Sequence, residues 1–199
     1  MTPALHLRNA RIVCPEGGER RGDLYIAHGV IAEAPAENAT VIDCGGLILA
    51  PGIVDLGVAT IDRAAFRAGG ITRVGLMPDQ SPVLDEPGIV QRSALIGKPD
   101  LWIHPIAAAT RGLAGKELAE MAICQSAGAR AVGTGRGWIA DSGVMRRVLD
   151  YARDLGLILV THAEDAGLLG EAVATNGETA TRLGLPSAPA VAEALAIAR

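Results

Sequence analysis

The stretch LILAPGIVDLGVATIDRAAFRAGGITRVGLMPDQ, residues 47–80, contains two apolar runs separated by a short polar segment. The first run passes Pro51-Gly52 and ends at Gly57-Val58-Ala59, and the second begins after Gly69-Gly70. Only about a dozen residues lie between the runs, close to the minimum for a crossover between parallel strands. We therefore expect two parallel strands joined by a short helix, with almost no loop after the first strand.

Apolar runs of strand length recur along the rest of the chain: residues 71–78, 101–109, 129–134 and 155–163. Helix-length segments lie between them. Residues 142–155 place apolar side chains on one face behind a capping Asp141 or Ser142, and residues 115–128 show a similar pattern. Near-continuous apolar strands that alternate with amphipathic helices predict a parallel sheet covered by helices. A (β/α) barrel and a doubly wound sheet both satisfy this pattern.

The residues before Pro51 differ from those after it. Residues 5–50 contain short, β-branched runs separated by turns, with His28-Gly29 at a hairpin tip, and they predict a small antiparallel β unit. The final segment, SAPAVAEALAIAR, predicts a helix with Ser187 as N-cap and Pro189 in its first turn. Since only five barrel strands are found, we expect the complete protein to be longer or this chain to be obligately associated.

Composition narrows the class of function. A net charge of -4 without long charge runs gives no electrostatic footprint for nucleic acid or a membrane surface, and aromatic residues make up only 3%. The three widely spaced cysteines, Cys14, Cys44 and Cys124, do not form a disulfide framework and suit a reducing compartment. The amino terminus does not have the pattern of a signal peptide, and no apolar run is long enough to span a membrane. We expect a soluble, cytoplasmic protein.

Five segments of the chain are familiar in their order: IDCGGLILAPGIVDLGV, AGGITRVGLMPDQSPVLD, HPIAAATRGLAGKELAEM, GVMRRVLDYARDLGLILVTHAED and GETATRLGLPSAPAVAEA. Together they resemble the dihydroorotase family of cyclic amidohydrolases over about residues 5–199. The resemblance implies an α/β fold, a partial (β/α)8 TIM barrel of the amidohydrolase type preceded by a small β-sandwich segment. It assigns residues 1–50 to the β-sandwich and residues 51–199 to the first five βα units, and it favours the barrel over the doubly wound sheet.

The resemblance also implies a chemistry. In this family, zinc ions activate a water that attacks the cyclic amide of dihydroorotate, and a carboxylate transfers the proton. The ligands stand at strand ends: a His-x-His pair after strand 1, an Asp or carbamylated Lys after strand 4, histidines after strands 5 and 6, and an Asp after strand 8. The last two positions lie beyond Arg199.

This chain departs from the family at several of these positions. The family's PGxVDxHxH falls on PGIVDLGVA, so Gly57 and Ala59 stand at the two histidine positions. The strand 4 motif, usually Asp-Asp-Gly, falls on Thr134, Gly135 and Arg136. Only His162, within HAED, keeps a family ligand. A single histidine does not make a zinc site, which needs three or four ligands.

Four other positions have competing interpretations. Asp79 stands at the substrate-binding Asn of the family's MPNT motif, where a carboxylate would repel an anionic substrate. His162 is either a metal ligand or a structural histidine that caps the next helix. His104 is expected inside the barrel with a satisfied hydrogen bond. The GTGRG stretch at residues 133–137 is a loop that needs glycine dihedrals, since its spacing is not that of a phosphate-binding loop.

Two functions remain. The favoured one is a non-catalytic dihydroorotase-like protein of de novo pyrimidine biosynthesis, an oligomer without a cofactor that supports assembly of aspartate carbamoyltransferase. The alternative is an active zinc-dependent dihydroorotase or cyclic amidohydrolase that hydrolyses a cyclic amide C–N bond, completed by residues outside this chain. The sequence leaves open whether the protein is an enzyme.

Overall fold

The computed structural model describes residues 3–198 and divides the chain into two units, one up to Gly52 and one from Ile53. The first unit contains five strands: β1 (Leu5–Cys14), β2 (Gly18–Ala27), β3 (Val30–Ala32), β4 (Thr40–Asp43) and β5 (Ile48–Leu49). They form one sheet in the order β3-β2-β1-β4, with β5 also paired to β1.

This sheet is mixed, which corrects the prediction of an antiparallel unit. The pairs β1–β2 and β2–β3 are antiparallel, whereas β4 and β5 both run parallel to β1. Apolar runs and turns indicate strands but not the direction in which distant strands pair, so the sequence did not reveal the parallel pairs. A β-sandwich requires a second sheet packed on the first, and the described residues of this unit form a single sheet.

The hairpin between β2 and β3 was predicted correctly. His28 and Gly29 lie between the two strands and have φ angles of 54° and 79°. Two consecutive residues with positive φ are typical of the type I′ turn, whose twist matches that of the flanking strands.

The second unit alternates strands and helices. Its strands are β6 (Ile53–Val58), β7 (Ile71–Leu76), β8 (Trp102–Ala108), β9 (Ala131–Gly133), β10 (Ile158–Val160), β11 (Ala174–Thr175) and β12 (Ser187–Ala188). Its α-helices are α1 (Arg63–Ala68), α2 (Pro87–Leu95), α3 (Met121–Ser126), α4 (Ser142–Asp154), α5 (Ala166–Leu169), α6 (Glu178–Leu183) and α7 (Val191–Ala198). A short 3-10 helix covers Arg111–Leu113. Within residues 3–198, no helix is long and apolar enough to cross a bilayer.

The main sheet has the strand order of a barrel. Strands β6 to β10 lie side by side in chain order, and every neighbouring pair is parallel. A doubly wound sheet reverses its strand order at a switch point, and this sheet does not reverse. The curled parallel sheet is therefore half of a barrel, as predicted, and the short helix α1 is the only helix between β6 and β7 in the described chain.

Two helices differ from their predicted bounds. The segment before Met121 is not helical, because Leu118 forms a β-bridge with Thr110 and the Ala119 amide donates to the Ala109 carbonyl at the end of β8. The predicted N-cap Ser187 instead lies in β12, paired with Ala174, so α7 begins only at Val191. In both cases pairing with a preceding segment takes up residues that the local pattern would assign to a helix.

The core lies between the sheet and its helices. Val74 of β7, Val132 of β9 and Val148 of α4 are fully buried in one apolar cluster. Helix α4 begins as predicted, since the Asp141 carboxylate accepts a hydrogen bond from the Val144 amide at 2.9 Å. Because successive side chains of a strand point to opposite faces, the residues that alternate with the core residues face away from the helices.

Strand β6 contains a bulge near its carboxyl end. Asp55 pairs with Val74 and Val58 pairs with Leu76, so β6 has one residue more than β7 over this interval. The bulge brings the Leu56 carbonyl against Gly75 of β7, where an added Cβ would lie 2.6 Å from the Leu56 oxygen. Glycine at residue 75 is thus what allows the two strands to approach.

Candidate functional site

The carboxyl ends of β6 to β10 meet at one edge of the sheet, where barrel proteins place their chemistry. At the end of β6, Gly57 and Ala59 have no side-chain donor atom. The Gln80 amide nitrogen donates to the Ala59 carbonyl and to the Met77 carbonyl, both at 3.0 Å. Gln80 therefore ties the end of β6 to the end of β7.

The end of β7 is linked by charge to the end of β9. The Arg136 guanidinium Nε lies 3.1 Å from a carboxylate oxygen of Asp79. The Asp79 side chain is only 19% exposed, and its Oδ1 is buried without a hydrogen-bond partner. Asp79 was predicted to repel an anionic substrate, but in this structure its charge is already compensated by the guanidinium.

Gly135, which precedes Arg136, lies close to Leu113 and Asp79. Gly135 has a φ of 67°, in the left-handed region that glycine tolerates, as predicted for this loop. A Cβ added there would lie 3.0 Å from Leu113 Cδ1 and 3.5 Å from Asp79 Cβ. The site is therefore closely packed at the position where the family carries an acidic motif.

Strand ends β9 and β10 are joined by hydroxyl groups. Thr134 is buried, and its Oγ1 lies 3.1 Å from the Oγ1 of Thr161, while its amide donates to the Val160 carbonyl. A hydroxyl engaged in this way contributes to strand pairing. Sequence reasoning had identified Thr134 only as a replaced ligand and had not identified Thr161.

His162 follows β10 and is exposed. Its Nε2 lies 2.9 Å from Glu164 Oε1, and both residues line a cleft that also includes Thr175 and Glu193. The prediction that His162 caps the next helix is wrong, because the Asp165 carboxylate caps α5 by accepting from the Gly167 and Leu168 amides.

The donor set at these strand ends does not fit a zinc ion. Zinc needs three or four nitrogen, sulfur or carboxylate ligands in tetrahedral geometry. Glycine and alanine stand at the two β6 positions, and in the described part of the chain no group of three or more His, Cys, Asp or Glu residues could hold a metal ion.

The structure thus brings together some of the predicted positions. Asp79, Gly135 and Arg136 form one contact group, and Thr134 lies beside it, while His162 pairs with Glu164 at the end of β10. The Asp79–Arg136 pair was not predicted. The signal that could have found it is a pair of new charges at two strand ends, an acid at the neutral Asn position after β7 and a base at the glycine position after β9.

Comparison with solved structures identifies the class of fold. The L-hydantoinase (dihydropyrimidinase) from Arthrobacter aurescens superposes on the whole chain with a TM-score of 0.74 at 20% sequence identity, over 49% of its own length. The second unit is accordingly a half-barrel similar to the amidohydrolase TIM barrel.

Comparison of sequences identifies the family. The chain belongs to the Dihydro-orotase-like family, whose model matches residues 46–199. The dihydroorotase of Geobacter sp. strain M21 is 36% identical over 216 residues, which cover 98% of this chain and 51% of the relative. The dihydroorotase of Pelotomaculum thermopropionicum is 36% identical over 98% of this chain and 50% of its own length. The chain spans about half the length of the curated relatives it matches.

Proposed function

We propose that this chain is a non-catalytic, dihydroorotase-like protein of pyrimidine biosynthesis that supports the assembly of aspartate carbamoyltransferase in the cytoplasm. The observation that carries the proposal is the lack of metal-ligating side chains at the carboxyl ends of the strands. Gly57 and Ala59 offer no metal ligand, and the neighbouring space between β7 and β9 contains the Asp79–Arg136 ion pair. Because its carboxylate is already paired with a guanidinium, Asp79 does not offer an uncompensated negative charge to a divalent cation.

The half-barrel that this chain shares with the family supports a role in binding a partner protein. The five parallel strands, the capped helix α4 and the buried core need no metal to form, since their packing is apolar. A protein that keeps the family's barrel while lacking its ligands offers a surface for a partner without competing for the substrate. Aspartate carbamoyltransferase is the partner that the family resemblance implies.

The active enzyme is the second candidate, and His162 is the observation in its favour. Its imidazole lies at the end of β10 beside Glu164, in a cleft that Glu193 also lines. An active zinc enzyme would have to recruit further ligands around this imidazole.

A measurement of zinc content and of dihydroorotate ring opening separates the two candidates. We expect zinc well below one equivalent per chain, and no turnover above background. The double variant Gly57→His, Ala59→His should remain inactive, because the Asp79–Arg136 pair and Thr134 are unchanged. Stoichiometric zinc, or ring opening by the double variant, would instead support the enzyme.

The partner is tested independently by sedimentation velocity. The chain is mixed with aspartate carbamoyltransferase from the same genome, and a boundary faster than that of either protein alone is expected. Bovine serum albumin replaces the transferase as the control for nonspecific association. Independent sedimentation of the two proteins at micromolar concentration would contradict the assembly role while leaving the catalytic question open.

A further inference from the structure

A cluster of basic side chains lies near the amino-terminal ends of the strands, away from the site described above. It contains four residues and surrounds an exposed tryptophan, Trp102. We name it the basic cluster, and its members are Arg73 of β7, Lys98 before β8, His104 of β8 and Arg130 before β9. Its residues come from the amino-terminal parts of the strands, whereas the candidate site lies at their carboxyl ends.

Contacts among Arg73, Lys98, His104 and Trp102 show that these side chains share one space, and Arg130 acts on His104 through its charge. The Arg73 guanidinium lies 3.5 Å from His104 Nε2, and its Cζ is 5.1 Å from the centre of the Trp102 ring. The Lys98 ammonium also lies over the Trp102 ring. The Arg130 amide donates to the Pro105 carbonyl at 3.0 Å, which fixes the start of β9 beside β8.

The cluster faces away from the helices. Val74 and Ile103, which neighbour Arg73 and His104 along their strands, belong to the core beneath the helices. Alternation along a strand therefore places Arg73 and His104 on the opposite face. Trp102 lies on the same face and is 46% exposed in the described residues.

In the described part of the chain no carboxylate pairs with these basic side chains. The pKa of His104 is lowered by burial and then by Arg73, Arg130 and Lys98, and the pKa of Lys98 is lowered by burial and by Arg73. Like charges held this close repel one another unless an anion lies between them.

We propose that the basic cluster is a binding site for a small multivalent oxyanion of the phosphate type. Guanidinium groups offer several N–H donors in a fixed plane that matches phosphate oxygens, and the ammonium and imidazole groups add donors from other directions. The Trp102 ring provides a rigid apolar wall on which Arg73 and Lys98 rest. This inference is independent of whether the chain is a catalyst.

Titration of the full chain with inorganic pyrophosphate tests the proposal. The reporter is Trp102 fluorescence in a Trp138→Phe background, so that only one tryptophan contributes, with isothermal titration calorimetry on the unmodified chain as a second measurement. We expect saturable binding at millimolar pyrophosphate or below, weakened by sodium chloride. Arg73→Gln should weaken it about tenfold, the usual cost of losing a charged hydrogen-bond donor.

The matched control is Arg146→Gln, which removes an exposed guanidinium from α4, outside the basic cluster. It should bind pyrophosphate as the unmodified chain does. An equal loss of pyrophosphate affinity in both variants would mean nonspecific charge attraction. If the unmodified chain showed no saturable binding, there would be no site. Each result overturns the proposal. A charge-dependent self-association that Arg73→Gln abolishes, without pyrophosphate binding, would mean that carboxylates of a second copy occupy the cluster, and this also overturns it. Circular dichroism spectra establish that the variants are folded.

Discussion

The pairing of Asp79 with Arg136 is the residue-scale feature that most affects what this site can do. One carboxylate oxygen meets a guanidinium, while the other is buried without a partner. A half-satisfied buried acid raises the energy of the native state unless a cation stays nearby. The two residues belong to different loops, so the spacing of residues along the chain could not have predicted the pair.

Removing the guanidinium should expose this dependence. We expect Arg136→Ala to lower the free energy of unfolding by about 1 kcal/mol, because the largely buried Asp79 carboxylate loses its counterion. The double variant with Asp79→Asn should regain most of that loss, since a neutral amide has no charge to compensate. Urea denaturation of the four proteins in the cycle measures both effects. Additive losses would show that the two side chains are energetically independent.

His104 should make stability depend on pH. Its pKa is lowered in the folded chain, chiefly by burial and then by Arg73, Arg130 and Lys98. The unfolded chain therefore binds a proton first as the pH falls through the ordinary histidine value of about 6.5. We expect the free energy of unfolding to fall as the pH falls below that value and to be insensitive to His104 at higher pH.

The measurement is urea denaturation between pH 5 and pH 8 in a buffer without multivalent anions. His104→Gln removes the titrating group, so its free energy of unfolding should change less over this range than that of the unmodified chain. Identical pH profiles for the two proteins would rule out His104 as the cause.

At the scale of elements, the apolar runs correctly predicted the positions of the strands. The bounds of the helices were predicted only in part. Strands β7 to β10 lie within the predicted runs, and α4 begins at its predicted cap. Both features depend on residues that are close together in the sequence. The starts of α3 and α7 were missed because Leu118 forms a bridge with Thr110 and Ser187 pairs with Ala174, both in segments that precede the helix. Backbone pairing of that kind leaves no local pattern.

The bulge in β6 depends on the absence of a side chain at Gly75. We expect Gly75→Ala to lower the free energy of unfolding by about 1 to 3 kcal/mol, because its Cβ would lie 2.6 Å from the Leu56 carbonyl oxygen and the strands would have to shift.

Gly88→Ala is the matched control for this variant. Gly88 lies in α2 and an added Cβ would meet no atom within 4 Å. The control should be stabilised by about 0.5 to 1 kcal/mol, since alanine favours the helix. Thermal unfolding of both variants tests the pair, and a similar loss at both positions would mean that steric contact at Gly75 is not the cause.

At the scale of the whole molecule, the outer strands of the parallel sheet are the feature that most affects association. Strands β6 and β10 each have a single strand partner in the described chain. Ile158 of β10 is 71% exposed, and an apolar, unpaired edge strand promotes association between chains. The parallel arrangement itself was predictable from alternating apolar runs and helices. The sequence does not predict which segment or chain pairs with the edge strands.

A charge on the outer strand β10 should therefore reduce self-association. We expect Ile158→Lys to weaken the concentration-dependent association of the chain, measured by sedimentation velocity over a range of protein concentrations. Ile123→Lys on α3 is the control, because Ile123 is also exposed but belongs to no edge strand. If both substitutions reduced association equally, general surface hydrophobicity rather than the edge of β10 would be responsible.

The left-handed backbone at Gly135 has a consequence for the residues that this position can accept. A carboxylate-bearing residue there would have to adopt an unfavourable dihedral angle, and its Cβ would press against Leu113. A substitution that introduces an acidic residue at position 135 should therefore lower stability unless the backbone and Leu113 change with it. The glycine backbone therefore opposes the introduction of an acidic side chain at this position.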